Sequence, residues 1–301
     1  MSSLVVFSVP KTGAGRVLPL RESNDFQSRS WLRPATVRCG LRLEVQESGN
    51  HAFMLGMGSS RISTSYGFHH QESLFTLQDA THLLISIPPS VSLGDPVLHF
   101  HRDLIWNRLK NGRVHWLCYL SSTSTTPPKP ENELAVARLE AENAWINLGC
   151  DLGVHVYVLR LGGIYGPGRS ALDTIIKQGP LSKDQQRRQH RRYPPRIHVA
   201  DVCQAIRASM NKNVFNIIDD DPAPRSEVFS YARSLVMQRW PDKLDGISVD
   251  QETLNQHAQT GELIEEKRVS NNRMKSELGV ELLHPNYRSG LESIARGYQL
   301  R

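Results

Sequence analysis

The sequence is poor in cysteine and has no long apolar run. Four cysteines occur among 301 residues, and none forms a Cys-x-x-Cys pair or a cluster with histidine. This predicts no metal site and small buried thiols in a reducing compartment. No stretch approaches the ~18 to 20 apolar residues of a membrane span, so we expect no membrane partner. The cysteines are Cys39, Cys118, Cys150 and Cys203.

The remaining composition is that of a globular protein. Hydrophobic residues make up 39% of the chain and charged residues 22%, which is enough to bury one large α/β domain, or one domain and a small lobe. The formal net charge is +6. A basic balance suits anionic ligands such as nucleotides or nucleic acid, or it comes from a targeting segment.

Residues 1–43 have the composition of a targeting segment. Seven basic residues stand against Glu22 and Asp25, and serine is frequent. A basic, acid-poor leader is typical of an organelle transit peptide, and the run 35–39 is similar to a plastid processing site. The prediction is a chloroplast protein. The alternatives are a disordered tail or a gene-model artefact, which would leave a cytoplasmic protein.

Apolar runs alternate with amphipathic ones through the first half of the chain. Short continuous apolar runs predict buried strands, and apolar residues at i+3 and i+4 spacing predict helices. Such alternation favours a parallel sheet of βαβ units covered by helices on both faces. The predicted strands are 51–58 (with a glycine turn), 81–87, 114–120 and 154–160; the predicted helices are 103–110 and 133–148.

The second half continues the pattern. Residues 197–206 predict a strand that runs into a helix, and 214–218 a further strand. We expect a helix over 225–240, capped by Ser226, and short helices in a tail lobe over 266–301.

Four segments of this half resemble, in order and spacing, the extended and atypical short-chain dehydrogenase/reductase superfamily, the NAD-dependent epimerase/dehydratase type. Together they are far more specific than a glycine pair. They are Arg160-Leu-Gly-Gly-Ile-Tyr-Gly-Pro-Gly-Arg169, Arg196-Ile-His-Val-Ala-Asp201, Asn216-Ile-Ile-Asp-Asp-Asp-Pro222 and Asn271-x-Arg-Met-x-x-x-Leu-Gly279.

The resemblance implies an α/β Rossmann fold with a small C-terminal lobe. Members bind NAD or NADP, and many act on nucleotide-sugars, so the implied partner is a small nucleotide or nucleotide-sugar. The implied domains are a Rossmann-like domain over 44–180 and a C-terminal lobe over 181–301. One strand and one helix of that lobe return to the first domain.

The dinucleotide site departs from the family pattern. Its glycines let backbone N–H groups reach the pyrophosphate; here Gly56 and Gly58 are present, but Arg61 takes the third position. The segment 59–82 is too short for a helix, a strand and a second crossover, so the first βαβ region is expected to be incomplete. The other cofactor-binding residues implied are Ile87, Pro88, Arg138, Arg160 and Gly162.

The catalytic helix departs from the pattern as well. The family uses a tyrosine as general acid/base and a lysine four residues later that lowers its pKa. Leu134 and Arg138 occupy these positions. Leucine cannot move a proton, and arginine keeps the charge without the same pKa tuning. Ser122 and Thr123 match the hydroxyl element that orients a substrate carbonyl.

Tyr165 and Arg169 are the implied substrate-binding residues. Tyr165 is interpreted as a structural or substrate-shaping residue rather than a substitute base. Asp201 is interpreted as a helix N-cap and His198 as structural. The basic run 183–196 predicts a solvated loop or a site for a phosphate-bearing substrate; it has few aromatics, which disfavours nucleic acid. The acidic run 219–221 predicts a turn.

Three hypotheses follow. The first is an NAD(P)-dependent oxidoreductase or epimerase that acts without the usual pair. The second is a non-catalytic nucleotide-binding or regulatory protein of the same fold. The third is a truncated isoform with no independent activity, which the short segments 59–82 and 124–132 favour.

Overall fold

A computed structural model describes ten parts of the chain. Statements about structure refer to these residues, and the predicted segment 59–82 lies almost wholly outside them. The described residues are 2–7, 52–57, 82–111, 114, 116–126, 130, 132–177, 193–208, 214–243 and 268–298.

A six-stranded sheet forms the centre of the fold, in the order β2-β1-β3-β4-β5-β8. The neighbours among β3, β4, β5 and β8 pair in parallel, whereas β1 is antiparallel to both β2 and β3. The α/β Rossmann-like prediction is confirmed. The strands are β1 (Ser2–Phe7), β2 (Ala52–Met57), β3 (His82–Ile85), β4 (Trp116–Ser122), β5 (Val156–Leu161) and β8 (Val214–Ile217).

Strand β1 lies within the segment whose composition predicts a targeting leader. The sequence pattern predicts no strand there, whereas the structure pairs Leu4 with Ile85 of β3. Because β1 intervenes, β2 is the second neighbour of β3 rather than its direct partner.

Two helices cover one face of the sheet, α1 (Pro96–Lys110) and α2 (Glu133–Leu152). Helix α1 begins seven residues before the predicted 103, because the Asp95 carboxylate accepts from the N–H groups of Val97 and Leu98 and caps the first turn. Helix α2 is capped by the Asn132 side chain. It ends at Gly153, whose φ of 67° lies in the left-handed region that favours glycine.

The other face is covered by α4 (Val199–Ala208) and α6 (Asn272–Leu278). The apolar strands are therefore buried on both sides, as in other parallel sheets. Leu83, Leu117 and Val158 pack with the α1/α2 face, and Leu84, Leu159 and Phe215 with the α4/α6 face.

Three further helices form the C-terminal lobe: α3 (Ala171–Lys177), α5 (Arg225–Arg239) and α7 (Tyr287–Gly297). Leu172, Val236 and Leu291 are buried among them. A two-stranded parallel ribbon, β6 (Gly163–Tyr165) with β7 (Arg196–His198), lies between β5 and α4 along the chain. Strand β6 directly follows β5, and β7 leads directly into α4.

Two predicted caps are wrong. Ser226 lies inside α5, whose N-cap residue is Pro224 without a side-chain hydrogen bond. Asp201 lies in the first turn of α4, and its carboxylate accepts from the N–H groups of Leu283 and His284 instead. These partners are distant in sequence, so a local capping rule could not identify them.

Candidate functional site: a cleft at the carboxyl ends of the strands

A cleft of about 1280 Å³ opens where β4 and β5 end. Parallel strands present their carboxyl ends at one edge of a sheet, which is where ligands bind in open α/β folds. The cleft is bounded by the turn after β4, the start of α2, the segment 161–165, and residues of α3, α5 and α7 in the C-terminal lobe. It is therefore walled by the sheet on one side and the lobe on the other.

The turn after β4 contributes hydroxyl groups. Ser121, Ser122 and Thr123 line the cleft, and a catalytic role for Ser122 and Thr123 stays a prediction. The Ser122 hydroxyl accepts from the N–H of Ser124 at 3.3 Å, which fixes the short 3-10 turn Thr123–Thr125. Thr123 is buried and lies in this turn, which holds it in place.

Behind this turn, the carboxylate of Glu142 is contacted by three side chains. Its carboxylate accepts from the Ser121 hydroxyl at 2.5 Å and the Thr125 hydroxyl at 2.8 Å. It also pairs in bidentate fashion with Arg160, the shortest N–O distance being 2.6 Å. Glu142 is 1% exposed. This carboxylate therefore links α2, β4 and β5 immediately below the cleft.

Arg160, a predicted cofactor-binding residue, belongs to this buried pair. Its guanidinium is directed at Glu142, and Arg160 is not among the residues that line the cleft. In the structure Arg160 supports the floor of the site. Its predicted contact with the cofactor is untested.

Leu134 and Arg138 lie one helical turn apart on α2, and both line the cleft. Leu134 is 41% exposed. Arg138 is half-buried, and its burial lowers the pKa of its guanidinium; the nearby Tyr119 and Glu142 oppose that shift. The helix thus presents an apolar group and a cation to the cleft.

The remaining predicted cofactor residues are spread over the carboxyl edge. Gly162 lines the cleft, and a Cβ there would lie 2.9 Å from the Arg196 backbone nitrogen, so only glycine allows this close approach. Ile87 and Pro88 follow β3; Ile87 belongs to the core cluster, and neither lines the cleft. Gly56 lies within β2, paired with Ser3 of β1, and not in the turn that the sequence predicts; Gly58 lies outside the described residues.

Tyr165 and Arg169 also line the cleft. The Tyr165 hydroxyl donates to the Asn286 carbonyl at 3.4 Å, and burial raises its pKa strongly. A hydroxyl that is neutral and bonded to the backbone cannot serve as a base near neutral pH. Arg169 is exposed, at the end of a tight turn in which Gly168 has a φ of 79°.

Three further cations line the cleft besides Arg138 and Arg169. They are Lys177 at the end of α3, Arg196 at the start of β7 and Arg225 at the start of α5. Arg196 and Arg225 are distant in sequence and meet only because β7 and α5 pack beside the same opening. Arg196 is the last residue of the basic run 183–196, for which the sequence predicts a solvated loop or a site for a phosphate-bearing substrate.

The described residues contain no group of three or more side chains suited to hold a metal ion. None of the helices in the described ranges has the length and apolar character needed to cross a bilayer.

Comparison with known proteins agrees with this architecture. The chain is 33% identical to a functionally unknown conserved protein from Silicibacter pomeroyi DSS, over 75% of this chain and 80% of that one, with a TM-score of 0.57. UDP-N-acetylglucosamine 4-epimerase from Bacillus cereus matches at 14% identity over 77% and 86% of the two chains, with a TM-score of 0.51. No protein-family model and no curated protein matches the chain.

A third similar structure is the Bordetella bronchiseptica enzyme WbmF in complex with NADH. It is 13% identical over 73% of this chain and 71% of that one, with a TM-score of 0.53. The fold is thus that of UDP-N-acetylglucosamine 4-epimerase and WbmF. The chain belongs to the family of the conserved Silicibacter pomeroyi protein.

Proposed function

We propose that this chain is an atypical member of the superfamily that binds NAD or NADP in the cleft without a tyrosine–lysine proton relay. The observation that carries the proposal is the start of α2, where Leu134 and, one turn later, Arg138 line the cleft. Leu134 stands where the resemblance implies the tyrosine that donates a proton. Arg138 stands where it implies the lysine that lowers the tyrosine pKa, and arginine keeps only the positive charge.

The described side of the cleft fits a dinucleotide. Gly162 allows the backbone to approach closely, Arg138 supplies a cation for a phosphate or a ribose, and the hydroxyls of Ser122 and Thr123 supply hydrogen-bonding groups. The similar enzyme WbmF carries NADH in its structure. When bound, a nicotinamide supplies hydride transfer; the chain's own residues bind and orient it.

The two tyrosines that line the described part of the cleft, and its buried acid Asp173, are poorly suited to act as a general base in place of the missing relay. Burial raises the pKa of Tyr165 strongly, and that of Tyr287 as well. Asp173 accepts from the Ser170 hydroxyl at 2.5 Å and from the Tyr298 hydroxyl at 3.4 Å. We therefore favour a nucleotide-binding protein over an active oxidoreductase or nucleotide-sugar epimerase.

Cofactor binding and turnover assays on the full chain test the proposal. We expect NADPH or NADH to bind, observed as a rise in melting temperature and a change in nicotinamide fluorescence, with no turnover on a panel of carbonyls and nucleotide-sugars. Arg138→Gln should weaken binding by about ten-fold, the typical worth of one charge-assisted contact. Arg102→Gln, an exposed arginine of α1, is the matched control.

The outcomes separate the hypotheses. Turnover by the unaltered chain would favour the active oxidoreductase or epimerase. Absence of binding at millimolar NADPH and NADH would reject the cofactor proposal and leave the isoform without activity. Leu134→Tyr combined with Arg138→Lys restores the two family residues, and a gain of turnover there alone would show that the relay is what the cleft lacks.

We also propose that residues 1–43 direct the protein to the chloroplast. The excess of basic over acidic residues in this segment supports the proposal. A fluorescent protein fused after residue 43 should accumulate in plastids of transfected plant cells. A cytoplasmic signal would reject it.

A further inference from the structure

The hydroxyl of Ser121, near the end of β4, has its hydrogen committed inside the protein. It donates to the Glu142 carboxylate at 2.5 Å. A serine hydroxyl carries one hydrogen and two acceptor lone pairs. While this contact stands, the Ser121 oxygen can take part in a further hydrogen bond only as an acceptor.

Glu142 cannot reverse the direction of this hydrogen bond. Its carboxylate forms a bidentate pair with the Arg160 guanidinium, which favours the ionised form, and an ionised carboxylate only accepts. It accepts from the Thr125 hydroxyl as well, at 2.8 Å. Glu142 is 1% exposed, so turning the Ser121 hydrogen away would leave a buried charge without one of its donors.

The acceptor side of Ser121 is unused within the described ranges of the chain. No N–H or hydroxyl group there donates to its oxygen. The residue lines the cleft and is 5% exposed. A ligand that fills the cleft excludes water from this oxygen, and an acceptor that loses water without gaining a donor opposes binding. Ser121 therefore favours a ligand that places a donor against it.

The next residue, Ser122, has the opposite polarity. Its oxygen accepts from the N–H of Ser124, so its own hydrogen can be donated to a group in the cleft. Two consecutive serines thus present different hydrogen-bonding groups. The difference comes from Glu142 on α2, which contacts Ser121 and not Ser122.

We infer that Ser121 is a specificity-determining residue of the cleft, which accepts a hydrogen bond from a donor group of the bound dinucleotide. The donor is an amide N–H or a sugar hydroxyl. Glu142 fixes the polarity of Ser121 from behind, and Arg138, one helical turn before Glu142 on α2, lines the same cleft. The inference rests on the proposed function, because the ligand it describes is the cofactor.

Calorimetric titration of the full chain tests this polarity. The probes are NAD, NADP and the 3-acetylpyridine analogue of whichever binds more tightly, the parent dinucleotide; the analogue carries a methyl group in place of the carboxamide NH2. Ser121→Ala should weaken the parent by about ten-fold, the worth of one hydrogen bond. Thr125→Val is the matched control. It removes the other hydroxyl that donates to Glu142, but Thr125 does not line the cleft, so its affinity should match that of the unaltered chain.

A second substitution separates the two functions of the Ser121 hydroxyl. Ser121→Cys keeps a hydrogen for Glu142, but its sulfur is a weak acceptor. The variant should therefore lose affinity for the parent as Ser121→Ala does. It decides the matter if Ser121→Ala does not fold.

The analogue identifies the donor. If the carboxamide donates, the analogue binds the unaltered chain about ten-fold more weakly than the parent, and Ser121→Ala binds the two alike. If a sugar hydroxyl donates, Ser121→Ala weakens parent and analogue by the same factor. Both results support an acceptor at Ser121.

Three results would overturn the inference. Parent binding to Ser121→Ala or Ser121→Cys as tight as to the unaltered chain would do so and leave the proposed function standing. A loss in Thr125→Val equal to that in Ser121→Ala would do so too, because the loss would then come from the disturbed carboxylate. Absence of binding of both NAD and NADP to the unaltered chain would overturn the proposed function and this inference together.

Discussion

At the scale of single residues, the floor of the cleft depends on one buried carboxylate. Glu142 is surrounded by Arg160 and two hydroxyls, and each of these partners lies on another element. A buried ion pair contributes little net stability compared with apolar packing, but removing one partner leaves the other charge buried and uncompensated. Glu142 should therefore be among the residues least tolerant of substitution.

We expect Glu142→Gln to lower the free energy of unfolding by about 3 to 5 kcal/mol, because the change leaves Arg160 buried without its counter-charge. Urea denaturation followed by circular dichroism measures the loss. Glu140→Gln, at an exposed position of the same helix, should cost less than about 0.5 kcal/mol. Equal effects of the two substitutions would show that the buried pair does not hold the floor.

At the scale of elements, the sequence predicts most helices and strands correctly. The strand at 114–120 is observed as Trp116–Ser122, and the helix at 133–148 as Glu133–Leu152. Continuous apolar runs and 3.6-residue periodicity are local signals, so they predict strands and helices without knowledge of the fold. Some errors lie at element ends: α1 begins early at an Asp-Pro cap, and Ser226 follows the true start of α5. Other errors are whole elements that the sequence does not predict, such as β1 and α3.

The packing of α2 against β5 depends on a residue without a side chain. A Cβ on Gly149 would lie 2.2 Å from the Val156 Cγ2 and 2.8 Å from the Val154 carbonyl oxygen. These atoms belong to the strand that ends at the cleft and to the loop before it, so a larger residue would push the helix away from the sheet.

Gly149→Ala should therefore destabilise the protein by about 1 to 3 kcal/mol, the usual cost of overpacking, despite the better helix propensity of alanine. Thermal unfolding measures the change. Gly297→Ala is the matched control, since a Cβ at that helical glycine meets nothing within 4 Å, and it should be neutral or stabilising. A melting temperature of Gly149→Ala at or above that of the unaltered chain would contradict the close packing.

At the scale of the whole molecule, the tail is fixed to the sheet domain by polar contacts. Asp201 receives two backbone N–H groups from residues 283 and 284. The rings of His198 and His284 lie 4.0 Å apart, and Tyr165 packs edge-on to His198. This junction joins β7 and α4 to the segment before α7, next to the lobe that closes the cleft.

The junction should be sensitive to acid. Burial, with the neighbouring His284, lowers the pKa of His198 from its usual 6.5 to about 4, so the folded protein keeps this imidazole neutral where the unfolded chain takes up a proton. Stability from this group is complete above pH 6.5 and is lost as the pH falls toward 4. The loss should be on the order of 1 to 2 kcal/mol.

Denaturant unfolding at several values between pH 4 and 7.5 measures this dependence. In the unaltered protein the Ala200 N–H donates to His198 Nδ1. In His198→Asn the asparagine side chain keeps an acceptor for this N–H but cannot titrate. The variant should lose less stability than the unaltered chain across the window. Parallel pH profiles for the two proteins would mean that His198 is not the titrating group.

The sequence by itself determined the α/β class and the Rossmann-like fold. These follow from apolar runs, helical spacing and motifs of a few consecutive residues, all of which are local. Only the tertiary structure decided that Arg160 faces Glu142, that Asp201 holds the tail, and that Arg196 and Arg225 share one end of the cleft. Each of those contacts joins residues far apart in the chain, and their meeting depends on the packing of whole elements, which no local pattern encodes.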